Sequence, residues 1–597
     1  MNQNNINNVS ELSGNMYSYQ DNSAIQNPPH ESNAIRRSLG EGQNPNLNPM
    51  IDNTPTINQP PYLDQFKSIN DHIYSGEVKN GNIPKYKNNI DIRSSEQMVP
   101  KLQNNFGRYG QFDETSQKHL PPREQKKFYL ITYIIIAFFH IIMIPLIGSL
   151  YKFKDITDCD NIFDFFKDIH LMIFIGFGFI YTMLKDHQWS SVAIVLFLNV
   201  VSIEFSFICY YIWYHAFENS TWSDINITYD VLYSIEYNSA TVLISLGAII
   251  GKLTIFQYFY VSIFETFFAS LNYFLCYKKI GALDNGGSIY IFTFGAIFGA
   301  MISVVLFCRE SEHSKISNSP HLNSDYYSNL FAFIGTLFLW IYFPSFNTAK
   351  IQFLKKDGSD EVKIFIGIFR YRGIINTYLS MIGSAIATFI VSPLIYEGKL
   401  KIEHLLNSSY VGGIIIGGCC TICSRAWGAL IIGCVGGAIS CLSLWKLKSI
   451  LKTCRFEDTL GILHIFGIPG VLGGILTSIF MGNFSNKRDW TFEDDLKIIE
   501  KFFDDDTSPS KQGGLQVAGL FVSATIAGVS GIISGFIINV IFCEKNEIYF
   551  VDSELFTEDE NIPLPEWKYP RQNDINLSSS GNKLDEQGRE VNIEQEV

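Results

Sequence analysis

The sequence predicts an all-α integral membrane protein, with about 12 transmembrane helices forming two pseudo-symmetric half-bundles around a central pore. The first observation is a succession of apolar runs between Phe128 and Phe542, each about 18 to 25 residues long, which is enough to cross a hydrocarbon core. The second is a pattern shared by two glycine-rich segments, 284–300 and 458–474. The third is the recurrence of glycine pairs four residues apart, a spacing that lets membrane helices approach closely.

The composition divides the chain into three parts. Residues 1–125 are rich in Asn, Gln, Pro and Ser, and we expect them to form a disordered N-terminal tail. Residues 126–545 form the membrane domain, and residues 546–597 form an acidic tail that we expect in the cytosol. The net charge of −13 gives no indication of nucleic-acid binding. Because Met1 opens onto polar sequence, no signal peptide is expected and the first apolar run is predicted to direct insertion.

Twelve spans are expected, at residues 128–150, 168–185, 190–215, 231–251, 254–277, 287–308, 328–347, 374–395, 404–424, 426–446, 461–482 and 513–543. An even number puts both tails on one side, and cytosolic tails put the loop 216–230 outside. That loop carries two possible glycosylation sites, Asn219 and Asn226. A basic loop at 446–455 then lies inside, but the basic stretch 350–372 lies outside, so the sequons decide the predicted orientation.

The two repeated segments each begin with an aspartate and carry a phenylalanine eight residues later. They pair Asp284 with Phe292 and Asp458 with Phe466. Eight residues span a little over two helical turns, about 12 Å, so each ring lies below its carboxylate on nearly the same face. Two such helices in opposite halves of a membrane protein indicate a pathway between related halves.

Three cysteines cluster within one predicted span, at Cys419, Cys420 and Cys423. Such spacing is compatible with metal binding or redox cycling, but small buried thiols are the preferred interpretation in an apolar helix without a nearby histidine. We therefore predict no metal site and no cofactor. The sequence also offers no nucleophile–base pair and no nucleotide-binding loop, so an enzyme is not expected.

Several longer motifs resemble those of the ammonium transporter/Rhesus glycoprotein family, and specifically its Rhesus branch. They include His170-Leu-Met-Ile-Phe-Ile-Gly-Phe-Gly-Phe, Asp284-Asn-Gly-Gly-Ser, Ile334-Gly-Thr-Leu-Phe-Leu-Trp340, Pro344-Ser-Phe346-Asn347 and Gly467-Ile-Pro-Gly-Val-Leu-Gly-Gly. The resemblance covers residues from about 128 to 568. It implies a trimer in the lipid bilayer, either a homotrimer or a mixed trimer with a histidine-bearing relative. Each subunit would hold its own pore, and both termini would be cytosolic.

The resemblance also implies a transport chemistry. Family members remove a proton from ammonium near the outer mouth and pass ammonia through an apolar pore lined by two facing histidines. Those two positions match Phe292 and Phe466, so this chain is expected to lack both pore histidines. The aromatic gate of the family matches Tyr237 and Phe346, where the tyrosine hydroxyl could hydrogen-bond an incoming amine. His464 is not expected to substitute, because two residues along a helix turn it to the opposite face.

The two helix-mouth carboxylates, Asp284 and Asp458, match the acidic residues of the family. The preferred interpretation is structural: each accepts hydrogen bonds at a helix start, where the helix dipole favours negative charge. Direct recruitment of ammonium is the alternative for these two carboxylates. Both interpretations place the groups near the predicted pore, so the sequence leaves the choice open.

Loss of the imidazoles limits what could permeate. An unpaired ion in a low-dielectric pore costs tens of kcal/mol in idealised treatments, against about 2–7 kcal/mol for a neutral polar group without hydrogen bonds. Phenylalanine cannot relay a proton, so neutral ammonia is the expected permeant, with carbon dioxide as a second one. The alternative is a non-conducting membrane subunit, closed by two phenyl rings, that serves as an assembly partner or ammonium sensor. The sequence leaves open a plasma-membrane or an internal-membrane location.

Overall fold

The structure is a computed structural model. It describes residues 122–153, 162–185, 187–218, 221–306, 324–353, 360–454, 456–483, 508–541 and residue 552. Residues 1–121 of the predicted N-terminal tail, most of the acidic C-terminal tail and the candidate glycosylation site Asn219 lie outside these residues. The last four residues of that predicted tail, 122–125, are helical. Within them the chain is almost entirely helical, as an all-α membrane protein requires.

The helices are numbered here in chain order. They are α1 (Pro122–Leu150), α2 (Ile162–Leu171), α3 (Phe177–Ile180), α4 (Gln188–Glu218), α5 (Tyr229–Ile249), α6 (Ile255–Phe274), α7 (Phe294–Leu306), α8 (Tyr326–Thr348), α9 (Asp360–Ile395), α10 (Ile402–Ser408), α11 (Val411–Ile416), α12 (Ala426–Leu442), α13 (Lys448–Thr453), α14 (Ile468–Asn483) and α15 (Pro509–Ile541). Short π-helical or 3₁₀ turns extend several of them: Met172–Gly176, Tyr181–Met183, Leu275–Ile280, Ser288–Thr293, Ala349–Phe353, Gly417–Cys419, Ser443–Leu447 and Leu463–Gly467. Two three-residue strands, β1 (Tyr151–Phe153) and β2 (Ile225–Ile227), pair in parallel, with Tyr151 opposite Ile225.

In the described residues, nine helices are long and apolar enough to cross a membrane. The other three predicted spans coincide with helical segments that are not among these nine. The segment from α2 to α3 is interrupted by a π-helical turn, and the segment from α10 to α11 is broken at Ser409 and Tyr410. The helix α5 is continuous but carries Asp230 and Glu236 among its polar side chains.

Close helix packing depends on small residues at the contact between α5 and α7. A Cβ atom added to Gly295 would lie 2.6 Å from the carbonyl oxygen of Thr241, and one added to Gly299 would lie 2.6 Å from that of Ser245. Real Cβ atoms do not approach this closely, so only glycine lets the two backbones meet. The contact aligns α7, and with it the candidate pore residue Phe292 just before its start, against the helix that carries Tyr237.

Candidate permeation pathway

The two aspartates predicted at the helix mouths are buried and bind the starts of the related helices. Asp284 Oδ2 accepts hydrogen bonds from the backbone N–H groups of Ile289 (2.6 Å) and Tyr290 (3.0 Å). The Asp284 carboxylate is therefore a helix cap, which satisfies backbone donors that have no partner within the helix.

Asp458 binds in the same way with three backbone groups. Its Oδ1 accepts from Gly461 (3.0 Å) and Ile462 (2.9 Å), and its Oδ2 accepts from Leu463 (2.8 Å). Gly461 has a φ of 81°, and the corresponding Gly287 after Asp284 has a φ of 73°. This left-handed conformation favours glycine, and it folds the chain back onto the preceding carboxylate.

Each related helix then begins with a π-helical turn that contains its phenylalanine. The first turn is Ser288–Thr293, in which the Phe292 N–H donates to the Gly287 carbonyl oxygen at 2.9 Å. The second is Leu463–Gly467, which contains Phe466. Single π-helical turns widen a helix locally and often occur at functional sites. The two halves therefore match in cap, glycine, turn and ring.

The structure brings the two predicted pore phenylalanines together. The ring centroids of Phe292 and Phe466 are 5.8 Å apart and the ring planes are 7° from parallel. Both side chains are completely buried, with 0% and 1% exposure. At the positions where two imidazoles were expected to face each other in relatives, this chain places an offset pair of phenyl rings.

The predicted gate residues also contact each other. The rings of Tyr237 and Phe346 have centroids 4.6 Å apart, and the Tyr237 hydroxyl donates to the Phe346 carbonyl oxygen at 2.5 Å. The hydroxyl proton is therefore used in the hydrogen bond within the gate. Only the lone pairs of the hydroxyl oxygen remain for an incoming donor. A hydrogen bond from an incoming amine to the Tyr237 hydroxyl stays a prediction, in which the hydroxyl oxygen accepts.

Gate and pore rings form one continuous aromatic cluster. Phe346 lies 5.8 Å from Phe292 between ring centroids, which links the gate to the phenylalanine pair. Three further buried rings that the sequence did not indicate surround the pair. These are Phe343 at 5.9 Å from Phe292, and Phe177 and Tyr410 at 6.0 Å and 6.1 Å from Phe466.

The nearest histidine in sequence lies away from this cluster. His464 Nδ1 is 2.6 Å from the Ser443 hydroxyl, in the turn that follows α12, and the side chain is buried. The ring has a protein hydrogen bond instead of a place between Phe292 and Phe466. No group of His, Cys, Asp or Glu suited to a metal ion occurs in the described residues. Cys419, Cys420 and Cys423 are buried there.

Comparison with known proteins places this architecture in a family. The sequence profile of the Ammonium Transporter Family matches residues 127–552. The chain belongs to the ammonium transporter family. The ammonium transporter Rh type C of Rattus norvegicus is 33% identical over 434 residues, covering 70% of this chain and 82% of the relative. The ammonium transporter Rh type B of Takifugu rubripes is 31% identical over 417 residues, covering 67% and 86%.

Solved structures agree on the fold. Nitrosomonas europaea Rh50, a member of the Rhesus protein family of channels, superposes with a TM-score of 0.55 at 24% identity, covering 70% of this chain and 96% of that chain. Saccharomyces cerevisiae Mep2 superposes with a TM-score of 0.51 at 16% identity, covering 69% and 95%. The family transports ammonium across membranes, and the chain is a multi-pass membrane protein and not an enzyme.

Proposed function

We propose that the chain is a membrane channel that passes neutral ammonia, with carbon dioxide as a second permeant, and that excludes the ammonium ion. The observation that carries this proposal is the parallel contact of Phe292 and Phe466 at 5.8 Å. Their ring faces offer neither a hydrogen-bond acceptor of imidazole strength nor a site for a proton. A cation on a ring face gains about 2 kcal/mol even when desolvated, far less than the cost of dehydrating it.

The neutral permeants fit this environment for different reasons. Ammonia gives up hydrogen bonds to water on entry, at a cost of a few kcal/mol, while carbon dioxide has no donor to satisfy. Passage requires rotation of the gate and pore rings, since the cluster from Tyr237 to Phe466 is closed in this conformation.

The proposal includes the setting of the channel. Both tails lie in the cytosol and the subunits form a trimer, as the resemblance to the family implies. Asn226, in the strand β2, is exposed while its neighbours Ile225 and Ile227 are partly buried, and it remains a candidate glycosylation site on the outer loop. The mixed trimer with a histidine-bearing relative belongs to the second candidate function below.

The experiment is a flux measurement on the purified full-length protein in lipid vesicles. Stopped-flow recording of internal pH after mixing with an ammonium salt gives the ammonia permeability. The same recording after a carbon dioxide pulse gives the carbon dioxide permeability. We expect both permeabilities to exceed those of empty vesicles. We also expect no current carried by ammonium under a membrane potential. Permeability equal to that of empty vesicles would reject the channel.

A second candidate is a non-conducting subunit that serves as an assembly partner or an ammonium sensor. The observation that favours it is the unbroken ring contact from Tyr237 through Phe346 and Phe292 to Phe466. Native mass spectrometry of the protein purified from its own membranes distinguishes the two assemblies. A complex with a histidine-bearing relative supports this candidate, while homotrimers with measurable flux contradict it.

A further inference from the structure

A lysine that the sequence did not single out lies beside the gate. Lys350 follows α8 in the turn Ala349–Phe353, and its ammonium nitrogen points over two tyrosine rings. The distance from Nζ to the ring centroid is 4.0 Å for Tyr273 and 5.0 Å for Tyr237. One of these rings is the gate tyrosine itself, so a cation is held at the face of the gate.

The surrounding pocket combines groups suited to a cation with apolar side chains, among them Ile235, Ala269, Phe274 and Ile291. Besides the two rings, it is lined by Asp284 and by the neutral polar side chains Ser206, Ser234, Asn238, Thr241 and Ser270. Asp230 and Asp284 are the carboxylates that act electrostatically on the Lys350 ammonium group. Aromatic faces, negative charge and hydroxyl oxygens together are the groups that bind a small ammonium-type cation.

The two tyrosine rings and the nearby carboxylates hold Lys350 in this position without a direct ion pair. In the part of the chain that the structure describes, its Nζ forms neither an ion pair nor a hydrogen bond. A free cation entering the same pocket would meet a like charge only a few ångströms away. In a partly buried site such repulsion weakens binding by about 10-fold or more.

We propose that this pocket is an ammonium-type cation site which the protein's own Lys350 fills, so that Lys350 is a specificity-determining residue at the gate. Its amine takes the place of a free ammonium or alkylammonium ion on the ring faces of Tyr237 and Tyr273. The free cation is thereby kept away from the gate. The inference does not depend on conduction, because a non-conducting subunit would fill the pocket in the same way.

The test is titration of the purified full-length protein with methylammonium chloride, compared at each step with equal sodium chloride. A ligand that binds the folded state raises the unfolding midpoint in a saturable manner. Lys350→Met, which keeps the length of the side chain and removes its charge, is expected to gain such a rise, with at least 10-fold tighter apparent binding than the wild type. Lys350→Arg retains a cation and is expected to behave as the wild type.

Two further variants localise the effect. Lys278→Met removes a lysine that lies 5.7 Å above the Tyr277 ring but is ion-paired with Glu218 at the surface, and it should leave the titration unchanged. Adding Tyr273→Leu to Lys350→Met removes the nearer ring and should abolish the gained binding.

Three outcomes overturn the proposal. The first is a saturable rise in the unfolding midpoint that has the same size and the same apparent affinity in the wild type and in Lys350→Met. The second is a folded Lys350→Met protein that gains no methylammonium binding. The third is gained binding that survives loss of the Tyr273 ring. If Lys350→Met does not fold, Lys350→Gln takes its place, and a saturable shift in the wild type alone overturns the proposal.

Discussion

Phe292 and Phe466 come from equivalent positions of two related helices, and their rings lie parallel with centroids 5.8 Å apart. Each ring follows a capping aspartate by eight residues and belongs to a π-helical turn. The facing geometry therefore results from the repeated local structure of the two halves. Replacing both rings leaves that backbone geometry available to other side chains of similar size.

The first prediction concerns restoration of imidazoles. The double variant Phe292→His/Phe466→His should raise ammonia permeability at least several-fold, because imidazoles accept hydrogen bonds from the permeant and can carry a proton near neutral pH. Stopped-flow uptake into vesicles measures the gain. Burial of polar rings should lower the unfolding midpoint at the same time.

The matched control for that variant is Phe292→Leu/Phe466→Leu. It also removes both rings but adds no hydrogen-bonding group. If the leucine pair raises ammonia uptake as much as the histidine pair, the gain comes from loosened packing and not from imidazole chemistry. If neither variant conducts more than the wild type, the path is closed at another point along the ring cluster.

The second prediction concerns the gate hydroxyl. Tyr237→Phe removes the hydrogen bond to the Phe346 carbonyl and should lower the free energy of unfolding by about 1–3 kcal/mol, since the buried carbonyl loses its donor. It should also raise permeability, because the two gate rings are no longer tied together. The comparison is Tyr258→Phe, which removes a buried hydroxyl that donates to the Ile249 carbonyl at 3.0 Å. That variant should lose similar stability without a change in flux.

Some of this architecture could be read from the sequence. The apolar runs and the Asp-to-Phe spacing placed the helices and identified Phe292 and Phe466, because both depend on short-range patterns. The π-helical turns could not be predicted, since one additional residue per turn leaves no mark on hydrophobic periodicity. The break at Ser409 and Tyr410 was also missed, although the polar run Asn407-Ser408-Ser409 lies next to it in the sequence.

The contacts that the sequence missed are long-range. Phe343 reaches the pore pair from α8, and Tyr410 reaches it from the break between α10 and α11; neither position carries a local signal of that role. Lys350 was part of a basic stretch assigned to an outer loop, but a short turn places its ammonium nitrogen over Tyr237. Only packing of separate helices decides such contacts.

The third prediction separates the two roles considered for the aspartates. Asp458→Asn keeps the shape of the side chain but weakens three hydrogen bonds from backbone N–H groups, and it should cost about 1–3 kcal/mol of stability. Asp284→Asn weakens two such bonds and should cost no more stability than Asp458→Asn. Thermal unfolding of both variants measures this. A loss of transport with unchanged stability in Asp284→Asn would instead support recruitment of ammonium by that carboxylate.

The fourth prediction concerns pH and an ion-pair network around Glu403, in the first turn of α10. Glu403 forms ion pairs with Lys401 (2.6 Å) and Lys448 (2.7 Å). Burial alone would raise the pKa of Glu403, but the charges and hydrogen bonds of Lys448 and Lys401 outweigh it and lower the pKa to about 2. A carboxylate with a lowered folded-state pKa stabilises the fold above its unfolded pKa of about 4.3. That contribution is lost as the pH falls from about 4.5 towards 2.

Glu403→Gln should therefore be less stable than the wild type by about 1–3 kcal/mol at neutral pH, and the difference should vanish on acidification through this window. Chemical unfolding of the solubilised protein at stepped pH values measures it. Glu397→Gln changes an exposed acid nearby that has no ion pair in the described residues, and it should track the wild type at every pH. A constant difference between wild type and Glu403→Gln down to pH values near the folded pKa would mean that the carboxylate acts through packing and not through its charge.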